Sequence, residues 1–328
     1  MDYIAGKMRY ETMPYNRVGK SGLKLPAMSL GLWQNFGTDA NLLECEKILH
    51  RAFDLGITHF DLANNYGPVP GAAEENFGKI ISSSLKSYRD ELIISTKAGY
   101  PMWDGPYGNN GSKKYLAASL DQSLKRMKLN YVDIFYHHRP DAETDLEETV
   151  LALDLIVKQG KALYIGISNY SLDDTKKALK IFKELKTPFI IHQPKYNMLN
   201  RWIESGLDKF LIENGVGAIA FSPLSQGLLS DKYIGNKIPK NSRAYKNDRL
   251  QAMLTKETVE KLKQLNEIAH TRGQTLSQMS LAWVLNNKAV TSVLIGVRGI
   301  EQLEENVKCL NNLNFEQSEL ENINKILV

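Results

Sequence analysis

Short apolar runs alternate with amphipathic helical segments along almost the whole chain, and nothing else in the sequence restricts its fold as strongly. The runs 28–31, 59–62, 92–96, 131–137, 162–167, 189–193, 216–221 and 290–295 read as strands. The segments 42–55, 74–85, 115–127, 146–159, 172–185, 204–214, 257–270, 276–286 and 301–310 carry apolar residues at helical spacing. Strands this apolar suit burial on both faces, which is the parallel case. Eight strand-helix units in 328 residues predict a closed (β/α)8 TIM barrel, an α/β fold, rather than an open doubly wound sheet. The lack of a Gly-x-Gly-x-x-Gly after the first strand also weighs against a dinucleotide-binding open sheet. Segments 15–18 and 24–26 flank Lys20-Ser21-Gly22 and predict an N-terminal β-hairpin cap. Residues 317–327 predict an extra C-terminal helix, 225–248 a long polar insert, and 1–13 a polar extension without clear structure. With no linker, repeat or low-complexity stretch, 1–328 reads as a single domain.

Composition removes several classes of function. The net charge of +4 is small and spread out, with no basic run to suit nucleic acid. Cys45 and Cys309 are too far apart in sequence to suggest a zinc site or a disulfide framework, and no metal is expected. The first thirteen residues lack the apolar core of a signal peptide, and no apolar run approaches the ~20 residues of a membrane span. The expectation is a cytoplasmic protein with no membrane or nucleic-acid partner.

In a barrel of this kind chemistry gathers at the carboxyl ends of the strands. Those ends are Asp61, Lys97, His138, Ser168-Asn169, Gln193, Phe221-Ser222 and Gly296. Asp61 closes its strand and Tyr66 opens the following loop, so both can face one pocket. A carboxylate there needs a cation, and Lys97 is the first candidate downstream. In the fourth strand Ile134, Tyr136 and His138 share one face, while Phe135 and His137 share the other. Only one of the paired histidines can face the mouth, and His138 is the better placed. The residues alone leave other readings open. Asp61 with Lys97 can be an ion pair that merely closes the barrel, Tyr66 a rim aromatic, and His138 a structural histidine. His50, His59, His192 and His270 show no partner set and read as structural.

Taken together, the motifs Phe60-Asp61-Leu62-Ala63 with Tyr66-Gly67, Ser95-Thr96-Lys97, Gly166 to Tyr170, Ser222-Pro223-Leu224 with Gly227, and Gln302 to Asn306 resemble the aldo-keto reductases. The likeness runs in order from about residue 15 to the end of the chain. It extends to the bacterial branch that reduces L-glyceraldehyde 3-phosphate and methylglyoxal, through 98–108, 119–127, 131–139 and 192–202. The β-subunits of voltage-gated potassium channels share the core motifs more distantly.

The resemblance implies a catalytic tetrad of Asp61, Tyr66, Lys97 and His138. Tyr66 would be the general acid, with Lys97 lowering its pKa, Asp61 holding Lys97 and His138 orienting the carbonyl. It implies NADPH as cofactor. Trp33 and Asp61 would be among the residues that bind it, Ser168, Asn169 and Gln193 would hydrogen-bond its carboxamide, and Phe221 would stack on the nicotinamide ring. Ser222, Leu224, Gln226, Gly227 and Lys232 would meet the pyrophosphate, and the insert carrying Arg243 would close over it. Gly296, Arg298, Gln302, Glu305 and Asn306 would hold the adenosine end. Arg298 stands where relatives usually have Ser, and Gln302 where many have Arg; a guanidinium at Arg298 still suits a 2′-phosphate. Trp33, Tyr66, Met102, Trp103 and His138 would wall the pocket of a small aldehyde. Arg139 and Arg201 are the candidates for a substrate phosphate. The resemblance also allows a homo-oligomer, and it leaves a nucleotide-binding regulatory subunit as the alternative reading. A Schiff-base enzyme using Lys97 is a third.

Overall fold

The computed structural model describes residues 3–235, 238–240 and 242–327, and its centre is the expected closed barrel. The hairpin consists of β1 (Tyr15–Arg17) and β2 (Lys24–Pro26), paired antiparallel. Around the barrel run β3 (Met28–Gly31), β4 (His59–Asp61), β5 (Ile93–Ala98), β6 (Val132–His137), β7 (Ala162–Ser168), β8 (Phe189–Gln193) and β9 (Gly217–Phe221). The last strand, β10 (Val290–Ile295), pairs in parallel with both β9 and β3 and shuts the cylinder. The helices are α1 (Leu42–Asp54), α2 (Ala72–Ile81), α3 (Lys113–Met127), α4 (Leu146–Lys158), α5 (Leu172–Leu185) and α6 (Leu207–Asn214). They continue with α7 (Asp248–Ala252), α8 (Lys256–Thr271), α9 (Leu276–Asn286), α10 (Ile300–Val307) and α11 (Gln317–Leu327).

Local chemistry sets several boundaries that periodicity alone misplaces. α3 begins two residues before the expected start because the Ser112 hydroxyl caps it, accepting from the Tyr115 amide. The expected helix 204–214 is broken at Gly206, whose φ of 124° suits only glycine. Among its described residues the insert 225–248 contains three short 3-10 turns and the start of α7. The extension is also more ordered than its composition suggests. The Tyr3 hydroxyl donates to Asp54 at 2.8 Å, its ring stacks on His50, and Ala5 and Met13 are buried.

The barrel interior and the layer under the helices are separate cores. Val18 and Leu25 of the hairpin join Ile134, Tyr136, Ile191, Ile219 and Leu294 inside the barrel. Phe135 packs in the outer layer, as the alternation along β6 requires. The hairpin thus plugs the end where the strands begin, and the Lys20 amide donates to Gly215 O at 2.9 Å to fix it there. The opposite end stays available for a site. Gly166 in β7 sits beside Tyr136 in register, and a Cβ there would lie 2.3 Å from the Tyr136 ring. The missing side chain makes room for that ring below the mouth. Among the described residues no helix is long and apolar enough to cross a membrane.

Three of the buried histidines tie the fold to pH most directly. Burial holds His59, His137 and His192 each at about 4, below the usual 6.5. The folded chain keeps them neutral while an unfolded chain takes up protons below about 6.5, so stability present above that pH is lost as pH falls toward 4. Each contributes roughly 3 kcal/mol at the acid end. Thermal melts should therefore show a midpoint falling steeply between pH 6.5 and 4. A midpoint flat across that interval would contradict the neutral assignment.

Candidate active site

Strand register assembles the site. Asp61 pairs with Ser95 across β4 and β5, Lys97 with Tyr136 across β5 and β6, and Ser168 with Gln193 across β7 and β8. Residues two apart on one strand share a face, so Ser95 and Lys97 both point inward while Thr96 points out. The Thr96 hydroxyl accordingly donates to Glu74 on α2, whose other oxygen meets Arg126 at 2.7 Å.

Lys97 is fully buried, and all three of its N–H groups are placed. Nζ donates to Asp61 Oδ2 at 2.5 Å, to Leu62 O at 2.6 Å and to the Tyr66 hydroxyl oxygen at 3.2 Å. Asp61 Oδ1 accepts from the Ser95 hydroxyl at 2.6 Å and from Gln193 Nε2 at 3.4 Å. The phenol oxygen of Tyr66 therefore already accepts one hydrogen bond, which leaves its own proton free to turn toward the mouth. Burial, with Asp61 and Tyr100 alongside, pushes the phenol well above its usual 10. Burial also pulls the Lys97 ammonium below its usual 10.5, opposed by Asp61. With burial the leading influence, the phenol is held protonated. An ammonium with every N–H engaged has no lone pair for a carbonyl, which counts against the Schiff-base reading.

His138 follows β6 and faces the same centre. Its ring meets Tyr66 edge-on at 5.9 Å and Tyr100 at 4.7 Å, and its Nδ1 is buried with no hydrogen-bond partner among the described residues. Burial and the nearby Lys97 hold it well below its usual 6.5, so it is neutral. A neutral imidazole beside the phenol can donate from one nitrogen to an oxygen in the mouth.

The remaining expected residues fall into groups. Ser168, Asn169 and Gln193 cluster: the Ser168 hydroxyl donates to Gln193 O at 2.8 Å, and Asn169 Nδ2 donates to Ser168 Oγ at 3.1 Å and His138 O at 3.3 Å. Beyond β9, Phe221 and Ser222 are half-buried, and Asn197 Nδ2 donates to Ser222 O at 2.9 Å. Ser222, Ser225 and Gln226 have φ of 52°, 48° and 57°, an unusual run for residues with side chains, and Gly227 has 95°. Leu224 is partly buried against the core, and Lys232 is exposed. Trp33 is exposed, 6.4 Å from the Tyr66 ring, and the Arg243 guanidinium lies 5.0 Å over it. Arg243 thus bridges the insert and the mouth, where burial and then the nearby Arg298 disfavour its charge. Gly296 and Arg298 are exposed, and the Arg298 amide donates to Gln302 Oε1 at 3.1 Å. Glu305 accepts from Gln278 at 2.7 Å and Lys308 at 2.9 Å, and Asn306 is buried with Nδ2 unpartnered among the described residues.

The aldehyde-side expectations are less closely joined. Trp103 packs at 5.3 Å on Tyr115 and the Met102 amide donates to Gly108 O at 2.9 Å, so both belong to a folded loop beside Tyr100. Arg201 pairs with Glu204 and Asn324. Arg139 donates to Gly99 O at 2.8 Å and lies 4.5 Å over the Tyr100 ring. Sequence reasoning missed His59 and Ser95. His59 is not partnerless: its ring nitrogens meet Ser29 and Ser95 hydroxyls, each at 2.9 Å. The signal available was the two-residue spacing of His59 from Asp61 and of Ser95 from Lys97.

Compared with known proteins, residues 27–328 match the model of the Aldo/keto reductase family. The chain is 57% identical over 332 residues to the L-glyceraldehyde 3-phosphate reductase of Escherichia coli (strain K12), covering 99% of this chain and 95% of that protein. It is also 36% identical over 307 residues to a probable voltage-gated potassium channel subunit beta of Arabidopsis thaliana, covering 91% of this chain and 92% of the relative.

The Asp61–Lys97 pair makes a thermodynamic prediction. Removing one partner leaves an uncompensated buried charge, so Lys97→Met should cost roughly 3–5 kcal/mol in urea unfolding. The double variant Asp61→Asn, Lys97→Met should recover much of that loss. A single-variant cost under about 1 kcal/mol would show that the pair does not organise the site.

Proposed function

This chain belongs to the aldo/keto reductase family, and from that premise we propose that it reduces small aldehydes of the glyceraldehyde 3-phosphate or methylglyoxal type with NADPH, Tyr66 giving the proton. It is an oxidoreductase by family. The observation that carries the finer reading is the Lys97 ammonium spending its third hydrogen bond on the Tyr66 oxygen.

The residues present fit a dinucleotide lying across the mouth. Ser168, Asn169 and Gln193 gather amides and a hydroxyl suited to a carboxamide. The left-handed run at Ser222, Ser225 and Gln226 suits close backbone approach to a pyrophosphate. Asn306 carries a buried amide donor, and Arg243 and Arg298 bring two guanidinium groups to one region. That pair of cations favours a 2′-phosphate, hence NADPH. When bound, the nicotinamide supplies hydride to the carbonyl carbon.

The chain's own residues supply the rest. His138, neutral and unpartnered at Nδ1, orients the carbonyl oxygen. Tyr66 donates its proton to that oxygen as charge develops there. The oxygen left on Tyr66 is already met by Lys97, so the forming phenolate appears where a cation stands ready. Asp61 keeps that cation in place. Trp33, Met102 and Trp103 provide apolar walls for the small carbonyl compound. Arg139 remains the candidate for a substrate phosphate.

Two outcomes test this reading. Tyr66→Phe should lower turnover of methylglyoxal with NADPH by at least about a hundredfold, while NADPH still quenches tryptophan fluorescence. Normal turnover in that variant would remove Tyr66 as the donor. Arg298→Gln should raise KM for NADPH by about tenfold, the loss expected for one charge-assisted hydrogen bond, and leave KM for NADH unchanged. Equal changes for both cofactors would contradict a 2′-phosphate contact.

A further inference from the structure

A row of hydrogen bonds runs through the barrel interior beneath the tetrad. Ser292 Oγ lies 2.7 Å from Ser29 Oγ, which lies 2.9 Å from His59 Nδ1. His59 Nε2 lies 2.9 Å from Ser95 Oγ, and the Ser95 hydroxyl donates to Asp61 Oδ1 at 2.6 Å. All four side chains below Asp61 are fully buried.

The chemistry of the end groups fixes the direction of every bond. A carboxylate only accepts, and 2.6 Å is the length of a hydroxyl donating to one, so the Ser95 proton points at Asp61. Ser95 Oγ must then accept from His59, which places a proton on Nε2. His59 is neutral in the buried interior, so its Nδ1 accepts from the Ser29 hydroxyl. Ser29 in turn accepts from Ser292. Every donor in the row points toward Asp61, and the imidazole relays that polarity by donating at Nε2 and accepting at Nδ1.

This polarity matters because a fully buried amine and carboxyl group have two arrangements. One is ammonium with carboxylate; in the other the proton has moved from Nζ to Oδ2, leaving amine and acid. Low dielectric favours the neutral pair. Acceptors for the ammonium, here Leu62 O and the Tyr66 oxygen, and hydrogen bonds donated to the carboxylate together favour the charged one. Resting on the reading of Tyr66 as proton donor, we propose that His59 is a positioning residue for the reaction: through Ser95 it holds the Asp61–Lys97 pair in its charged form, the form that stabilises the Tyr66 oxygen. The other groups around the pair cannot replace it. The Tyr66 hydroxyl accepts from Nζ, Tyr136 presents its ring 5.8 Å from it, His138 faces Tyr66, and Glu74 with Arg126 lies outside the barrel, so none of them donates to Asp61. Among the described residues only Ser95, Gln193 and Lys97 itself donate to Asp61, and Gln193 does so at 3.4 Å.

The test follows kcat for methylglyoxal reduction by NADPH against pH in four variants, with NADPH affinity measured by fluorescence. His59→Leu and Ser95→Ala should each lower kcat by about tenfold to a hundredfold, the range for losing a hydrogen bond to a buried charge. Both should leave NADPH affinity unchanged. The pH above which kcat declines should move upward, because a weaker cation leaves the phenol less acidic. His59→Gln, whose amide can donate to Ser95 and accept from Ser29, should recover most of the loss. Should His59→Leu not fold, Ser95→Ala decides alone. An unchanged kcat in Ser95→Ala, a loss without movement of the basic limb, or failure of Gln to recover what Leu lost would each overturn the proposal. Tyr66→Phe separates the two levels: full turnover there removes the donor reading itself, whereas an inactive Tyr66→Phe beside an unaffected Ser95→Ala removes only the role of His59.

Discussion

Burying a lysine completely is costly, and the rest of this molecule follows from how that cost is met. The Lys97 ammonium has three N–H groups and three acceptors: a carboxylate, a backbone carbonyl and a phenol oxygen. Two of these come from β4 and the residue after it, the third from the loop beyond. Strand register therefore sets the charge arrangement, and the closed barrel sets the register. An open sheet would leave the same residues near water, where each interaction would be weaker.

The two ends of the barrel have divided tasks. At the end where strands begin, the hairpin inserts Val18 and Leu25 and closes the interior against solvent. At the other end, Asn169, Ser222, Ser225 and Gln226 adopt left-handed backbone conformations that cost residues with side chains on the order of 1–3 kcal/mol each. Such strain concentrates where a backbone must present its amides to a ligand, and here it follows β7 and β9. The Trp33 ring and the Arg243 guanidinium meet above that end, joining the insert to the mouth. Between the ends, Gly166 leaves room for Tyr136, and Tyr136 packs beneath the Lys97 ammonium.

Much of this arrangement was legible in the chain. Apolar strands alternating with helices fix the barrel, and polar residues at the strand ends mark which mouth holds the candidate site. Phase along β6 correctly separated His138 from His137, whose Nδ1 turns outward to the Tyr170 hydroxyl. What stayed hidden is interaction across strands. His59 reads as partnerless because Ser29 and Ser95 lie 30 and 36 residues away, and only the closed register brings them to its two nitrogens. The balance at Tyr66 is hidden for a similar reason. A nearby cation is visible in sequence, but the extent of burial that opposes it is not. The extension before residue 14 reads as polar and loose, yet Tyr3 and Arg9 find Asp54 and Glu91 on distant elements.

The central claim concerns protons, so the most direct measurement is one that sees them. Neutron diffraction from a deuterated crystal would locate the deuterium atoms on Lys97, Asp61 and Tyr66. The account predicts three on Lys97 Nζ, directed at Asp61 Oδ2, Leu62 O and the Tyr66 oxygen, with the Tyr66 deuterium turned toward the mouth. Two on Nζ with one on Asp61, or a Tyr66 deuterium directed at Lys97, would contradict it.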